Sequence, residues 1–181
     1  MSLKKIKIIS IFGIFVLNFI SHFLYEWIPN TLFSIFFPVN ESIAEHMKII
    51  YTSTLVYGLF DYLLLKYNNI KFQNFRLNLF LTSTLSIVIF LIIYLPIYTF
   101  FGEHLIITLI ILLLTYVISQ YISYIILTQK NYNHLNDLAV IFIILTYITF
   151  IIFTYNPPRN PLFFDTLNKG YGIINFYTLN N

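Results

Sequence analysis

The stretch HLIITLIILLLTYVISQYISYIILT, from His104 to Thr128, contains no Asp, Glu, Lys or Arg. Wound as a helix at 1.5 Å per residue, a run of this length crosses the roughly 30 Å hydrocarbon core of a bilayer. A surface helix of a soluble domain would carry a polar face, and this one, after His104 at its start, has only scattered hydroxyls and one Gln. Four further runs of the same order lie at about Ile6 to Ile28, Glu41 to Leu65, Leu77 to Tyr98 and Leu135 to Tyr155. The run from Glu41 opens as a polar turn and becomes lipid-like only after Lys48. The expected fold is all-α, a polytopic membrane bundle of five transmembrane helices over residues 1–155. Residues 156–181 then form an extracytoplasmic tail or flap rich in Pro and Gly.

Composition agrees with that reading. Of 181 residues, 59% are hydrophobic and 9% charged, against roughly 25% charged in soluble domains. Disordered chains are poor in apolar residues and rich in charge, so that class is excluded too. The absence of Cys removes disulfides, thiolate metal sites and a cysteine nucleophile, leaving His, carboxylates and hydroxyls for any chemistry. A dispersed net charge of +3 does not make the clustered basic face that nucleic acids require. The expected partner is the lipid bilayer, with a protein partner or a second copy of the chain left open. The expected location is the cell membrane, in multi-pass form.

Orientation follows from Lys and Arg in the short loops. Lys4, Lys5, Lys7, Lys66, Lys71, Arg76 and Lys130 fall on one side, and Lys48, Arg159 and Lys169 on the other. That bias places the N-terminus in the cytoplasm, and an odd number of spans places the tail outside. The acids run the other way: Glu26, Glu41, Glu45, Glu103 and Asp165 lie at the outer side, with Asp61 and Asp137 near the inner one. Acids contribute little to insertion topology, so this asymmetry calls for a separate explanation.

The first span ends Ser21-His22-Phe23-Leu24-Tyr25-Glu26-Trp27, with His22 and Glu26 four residues apart on one helical face. The second opens Asn40-Glu41-Ser42-Ile43-Ala44-Glu45-His46-Met47-Lys48. A short connection makes the two helices antiparallel neighbours and brings these groups to similar depth. Ionisable residues at membrane depth face a protein interior or a water-filled cavity and are functional candidates by default. His22, Glu26, Glu41, Glu45 and His46 are the candidate catalytic residues. His22, Glu26, Glu45 and His46 are the candidate ligands of a divalent metal ion, such N/O donors suiting zinc, manganese or iron. The same groups can instead serve as a proton-transfer pair. Ser42 to Glu45 also reads as a capping box, and Glu45 can pair with Lys48 on the helix surface.

Two further readings of function follow. Asp61, Gln120 and Asp137 would continue the outer cluster inward if the chain is a carrier or channel for a small solute or ion. An accessory subunit would use the outer patch to dock a partner. The reading ranked first is an outward-facing membrane enzyme, metal-dependent or acid/base, acting on a lipid or lipid-linked substrate.

Three patches, His22 to Trp27, Pro38 to Lys48, and Asn156-Pro157-Pro158 with Pro161-Leu162-Phe163 and Gly170-Tyr171-Gly172, resemble a family of small prokaryotic integral membrane proteins of unknown function. The resemblance runs in order over nearly the whole chain. It implies five spans and marks His22, Tyr25, Glu26, Asn40, Glu41, Glu45, His46, Asn156 and Asp165. It also implies Gly-Thr-Tyr-Gly-Ile at the last turn, where this chain has Lys169-Gly170-Tyr171-Gly172-Ile173. No activity comes with it.

Overall fold

The computed structural model describes residues 1–173. The part of the expected tail from 174 to 181 lies outside the described residues. Helices α1 (Leu3–Trp27), α3 (Ile43–Tyr67), α4 (Phe75–Phe101), α5 (Leu105–Thr128) and α6 (Asn133–Tyr155) are the five long elements. A single turn and a half, α2 (Thr31–Phe36), interrupts the connection between α1 and α3, and a two-stranded hairpin, β1 (Phe164–Asp165) with β2 (Gly170–Tyr171), follows α6.

The helix starts follow ordinary capping chemistry. Asn30 accepts from the Phe33 N–H at 2.9 Å to begin α2, and Ser42 accepts from the Glu45 N–H at 3.3 Å to begin α3. The reciprocal half of the capping box expected at α3 does not form. The Ser42 N–H donates to Asn40 Oδ1 at 2.9 Å, and the Glu45 carboxylate reaches back past it to the Val39 N–H at 3.0 Å.

Helices α1, α3, α4 and α5 close a ring in which each packs on the next, and α6 lies outside it against α4 and α2. By length and composition α1, α4, α5 and α6 are apolar enough to cross a membrane, with mean hydropathies of 2.0 to 2.5 over their most apolar windows. The fifth expected span, α3, is as long but falls short on composition, since it carries Glu45, Lys48, Asp61 and Lys66. Its position explains the difference. More of its side chains are buried than those of any other helix, so its polar groups meet protein rather than lipid. The chain is thus a helical membrane protein organised around one polar central helix.

Two ion pairs pin that helix. Lys7 donates to Asp61 Oδ2 at 2.6 Å and to Gln120 Oε1 at 3.4 Å, tying α1, α3 and α5 together. Lys48 pairs with Glu45 and donates to the Ser34 carbonyl at 2.8 Å and to Thr154 Oγ1 at 2.7 Å. Thr154 in turn donates to Glu45 Oε1 at 2.9 Å. Lys48 is 1% exposed and Glu45 5%, so the pair expected on the helix surface is interior. The i,i+3 spacing places the two side chains together, but burial comes from α2 and α6 closing over them. Lys7, counted with the loop cations, is likewise buried.

Gly13 of α1 lets α3 approach closely, because a methyl group there would overlap the Tyr57 ring. Above this crossing Ile14, Met47, Ile50, Phe90, Ile111, Leu112 and Tyr116 form the main apolar core, and below it Ile6, Leu65 and Leu127 form a smaller one.

Candidate functional site

Three side chains from two helices and the turn between them converge at the end where α1 stops and α3 begins. His22 stands one turn before the end of α1, His46 in the first turn of α3, and Glu41 in the extended turn just before it. Their ligand atoms all lie within 4.8 Å of one another. His46 Nε2 is 3.4 Å from Glu41 Oε2, and His22 Nε2 is 3.9 Å from Glu41 Oε1. The two imidazole rings lie 5.2 Å apart between centroids.

His46 Nδ1 is 2.9 Å from the Ser42 carbonyl. A carbonyl only accepts, so Nδ1 carries the proton. In the neutral ring Nε2 then presents a bare lone pair toward a carboxylate, an arrangement that repels until a proton or a cation enters between them. Fixing one ring nitrogen by a backbone carbonyl is also how proteins orient a metal-binding imidazole.

The tail holds Glu41 in place. Asp165 Oδ2 accepts from the Glu41 N–H at 3.1 Å, while its other oxygen accepts from the N–H groups of Leu167 and Asn168, both at 2.9 Å. Burial raises the Asp165 carboxyl, but hydrogen bonds from Asn168, Glu41 and Leu167 outweigh it and hold the group below the usual carboxylate range. Asn40 Nδ2 donates to the Gly172 carbonyl at 2.7 Å, and the Ala44 N–H donates to the Leu162 carbonyl at 2.8 Å. A free donor at the α3 N-terminus is therefore satisfied by the tail. Gly172 has a φ of +63°, and a Cβ there would press on the Thr154 carbonyl, so glycine is required.

Two adjoining cavities meet at Glu41 and His46. One, of about 200 Å³, runs from His22 and Asn18 between apolar walls of Ile49, Ile50, Leu105, Leu109 and Leu112. The other, of about 80 Å³, lies beneath the tail, where Pro161, Phe164 and Thr166 face Tyr94 and Tyr98. Glu103 and Thr108 border both.

The expected cluster divides. His22, His46 and Glu41 are together, whereas Glu45 faces the other way with both oxygens engaged by Thr154, Val39 and Lys48. Glu26 is exposed beyond the trio. Glu41, expected from sequence among the catalytic candidates but not among the metal ligands, takes the position at the trio's centre. Its direction was hidden because it precedes the helix, where no i,i+4 rule applies. Glu103 carried a weaker signal, an acid at a helix entrance. Of the inner polar residues, Asp61 and Gln120 meet through Lys7, while Asp137 pairs with Arg76 at 2.7 Å on the surface.

No curated protein and no solved structure matches this chain. The family model described as "Family of unknown function (DUF6512)" matches residues 1–173, the whole of the described structure, and the chain belongs to that family.

Proposed function

We propose that His22, Glu41 and His46 bind one divalent metal ion, and that this centre is the active site of a membrane enzyme acting on a lipid or lipid-linked substrate. The observation that carries the reading is that two imidazole nitrogens and a carboxylate oxygen lie within 4.8 Å of one another on a cavity wall. Tetrahedral ligands at zinc–nitrogen distances of about 2.0–2.1 Å stand roughly 3.3 Å apart. His46 stands 3.4 Å from one Glu41 oxygen, close to that spacing, while His22 stands 3.9 Å from the other and the set as a whole spans up to 4.8 Å, so the partly exposed His22 and the Glu41 carboxylate would draw in around an ion.

Three protein ligands leave one position open, the pattern of catalytic rather than structural sites. A metal there supplies a Lewis acid and lowers the pKa of bound water toward 7, which suits hydrolysis of esters or phosphoesters. The chain's own contributions are distinct. Ser42 fixes the His46 tautomer, Asp165 sets the backbone that carries Glu41, and the tail narrows access of bulk water from one side. The apolar walls toward α5 suit a hydrocarbon chain, and Glu103, exposed at the cavity's edge, would serve as a proton acceptor. The bias of basic residues toward the opposite end of the bundle supports an outward-facing site in the cell membrane.

The reading is tested in proteoliposomes supplied with fluorescent phospholipids. Turnover should disappear on chelation and in His46→Ala, and return in the wild type when one metal is restored. Turnover indifferent to both treatments contradicts the metal centre. Absence of turnover across ester and phosphodiester substrates by metal-loaded protein contradicts the enzymatic reading.

A further inference from the structure

At the opposite end of the bundle, α1 and α5 leave an open groove of about 350 Å³ between them. Residues at helical spacing line it from both sides: Lys4, Lys7, Ile8 and Ile11 on α1, and Val117, Gln120, Tyr121 and Tyr124 on α5. The helices are antiparallel, since Ile6 packs with Leu127 while Ile14 packs with Ile111 and Leu112. Lys4 and Tyr124 therefore meet at the membrane-edge end, and Ile11 and Val117 at the end nearer the bilayer middle.

The groove thus has a cationic, hydroxyl-bearing mouth and an apolar interior, the polarity of one phospholipid in that leaflet. Lys4 is exposed and makes no ion pair among the described residues. Lys7 forms the floor, held against Asp61 and Gln120, so its charge is already balanced and its position fixed. Tyr121 and Tyr124 are respectively 66% and 38% exposed and form no hydrogen bond through their hydroxyls among the described residues. Ile8 and Val117 are 48% and 44% exposed and offer apolar surface along the groove.

We infer that this groove is a binding site for a single anionic phospholipid, separate from the His/Glu centre. Lys4 and the tyrosine hydroxyls receive the phosphate, and Ile8, Ile11 and Val117 line one acyl chain. The bound lipid is anionic because Lys4, of the described residues lining the mouth, is the cation without an ion pair, and a choline headgroup would bring a second cation against it.

Native mass spectrometry of the detergent-purified protein, titrated with phosphatidylglycerol or phosphatidylcholine of equal chain length, tests the assignment. One phosphatidylglycerol should be retained in preference to phosphatidylcholine. Lys4→Ala should weaken retention about fivefold, the factor expected for one lysine beside an anionic headgroup. Ile8→Trp, which fills the apolar half from an exposed position, should weaken both lipids alike. Equal retention of the two lipids by the wild type, or retention unchanged in both variants, overturns the site. Inorganic phosphate should leave the thermal midpoint unchanged; stabilisation by phosphate equal to that by lipid identifies a soluble-anion site and overturns the lipid assignment.

Discussion

Lys48 Nζ lies 2.7 Å from Thr154 Oγ1, and the same hydroxyl donates its proton to Glu45 Oε1 at 2.9 Å. A buried cation, its carboxylate and one threonine thus share a closed set of hydrogen bonds that joins α2, α3 and α6 directly behind the His/Glu trio. Glu45 and His46 are consecutive on α3, so the ion pair anchors the backbone from which His46 projects into the cavity.

Removing one member of this set strands the other. Lys48→Ala leaves the Glu45 carboxylate buried without its cation and should destabilise the protein by roughly 3–5 kcal/mol. Combining Lys48→Met with Glu45→Gln should recover most of that loss. Thermal or denaturant unfolding in detergent measures both; a single substitution as mild as the double would show the pair to be solvated.

Gly13 should not tolerate a side chain. Gly13→Ala drives a methyl group into Tyr57 and should cost roughly 1–3 kcal/mol, the range for overpacked cores. Tyr57→Leu in the same background should relieve the clash. Equal stability of Gly13→Ala and wild type would mean that α1 and α3 do not cross there.

Lys169 occupies a left-handed backbone conformation, with φ of +53°. That conformation costs a side-chain-bearing residue about 1–2 kcal/mol. Position 169 is also where the family resemblance implies glycine. Lys169→Gly should therefore raise stability, by about 1 kcal/mol after the extra entropy of glycine in the unfolded chain is counted. A lowered unfolding midpoint would place the turn in another conformation.

The tail should loosen in acid. The Asp165 carboxyl is held below its ordinary pKa, so its contribution is full above the unfolded value of about 3.9 and fades as pH falls through the lower folded value. Hydrogen exchange of the Glu41 amide, corrected for intrinsic rates, should show protection lost below about pH 4. Asp165→Asn should weaken protection at neutral pH and flatten its dependence. An Asp165→Asn protein that keeps the wild-type profile would assign the effect to another group.

The long helices were legible because lipid imposes a crude demand, about twenty apolar residues in succession, and α1, α4, α5 and α6 meet it. Helix α3, expected as a fifth span, is as long as the others but too polar to count with them, and the burial of its charges could not be read, since it depends on α2 and α6 packing over Lys48. The short α2 was read as part of a connection; its signal was Asn30, which caps Phe33. His22 and His46 were legible as neighbours because a short link forces α1 and α3 together. The place of Glu41 between the two imidazoles was not legible, because the bond that holds its backbone comes from Asp165, 124 residues away. Glu26 shares a face with His22 but sits a full turn further out, at the exposed helix end, a difference in depth that the i,i+4 spacing does not reveal.

His22, Glu41 and His46 are proposed to hold one metal ion together. Elemental analysis with a metal titration of the folded protein, compared across His22→Ala, Glu41→Gln, His46→Ala and Glu26→Gln, tests it most directly. One divalent ion per chain is expected in the wild type and in Glu26→Gln, with affinity reduced at least tenfold in each of the other three. No stoichiometric metal in wild type under saturating zinc, manganese or iron, or equal affinity in Glu41→Gln and Glu26→Gln, would contradict it.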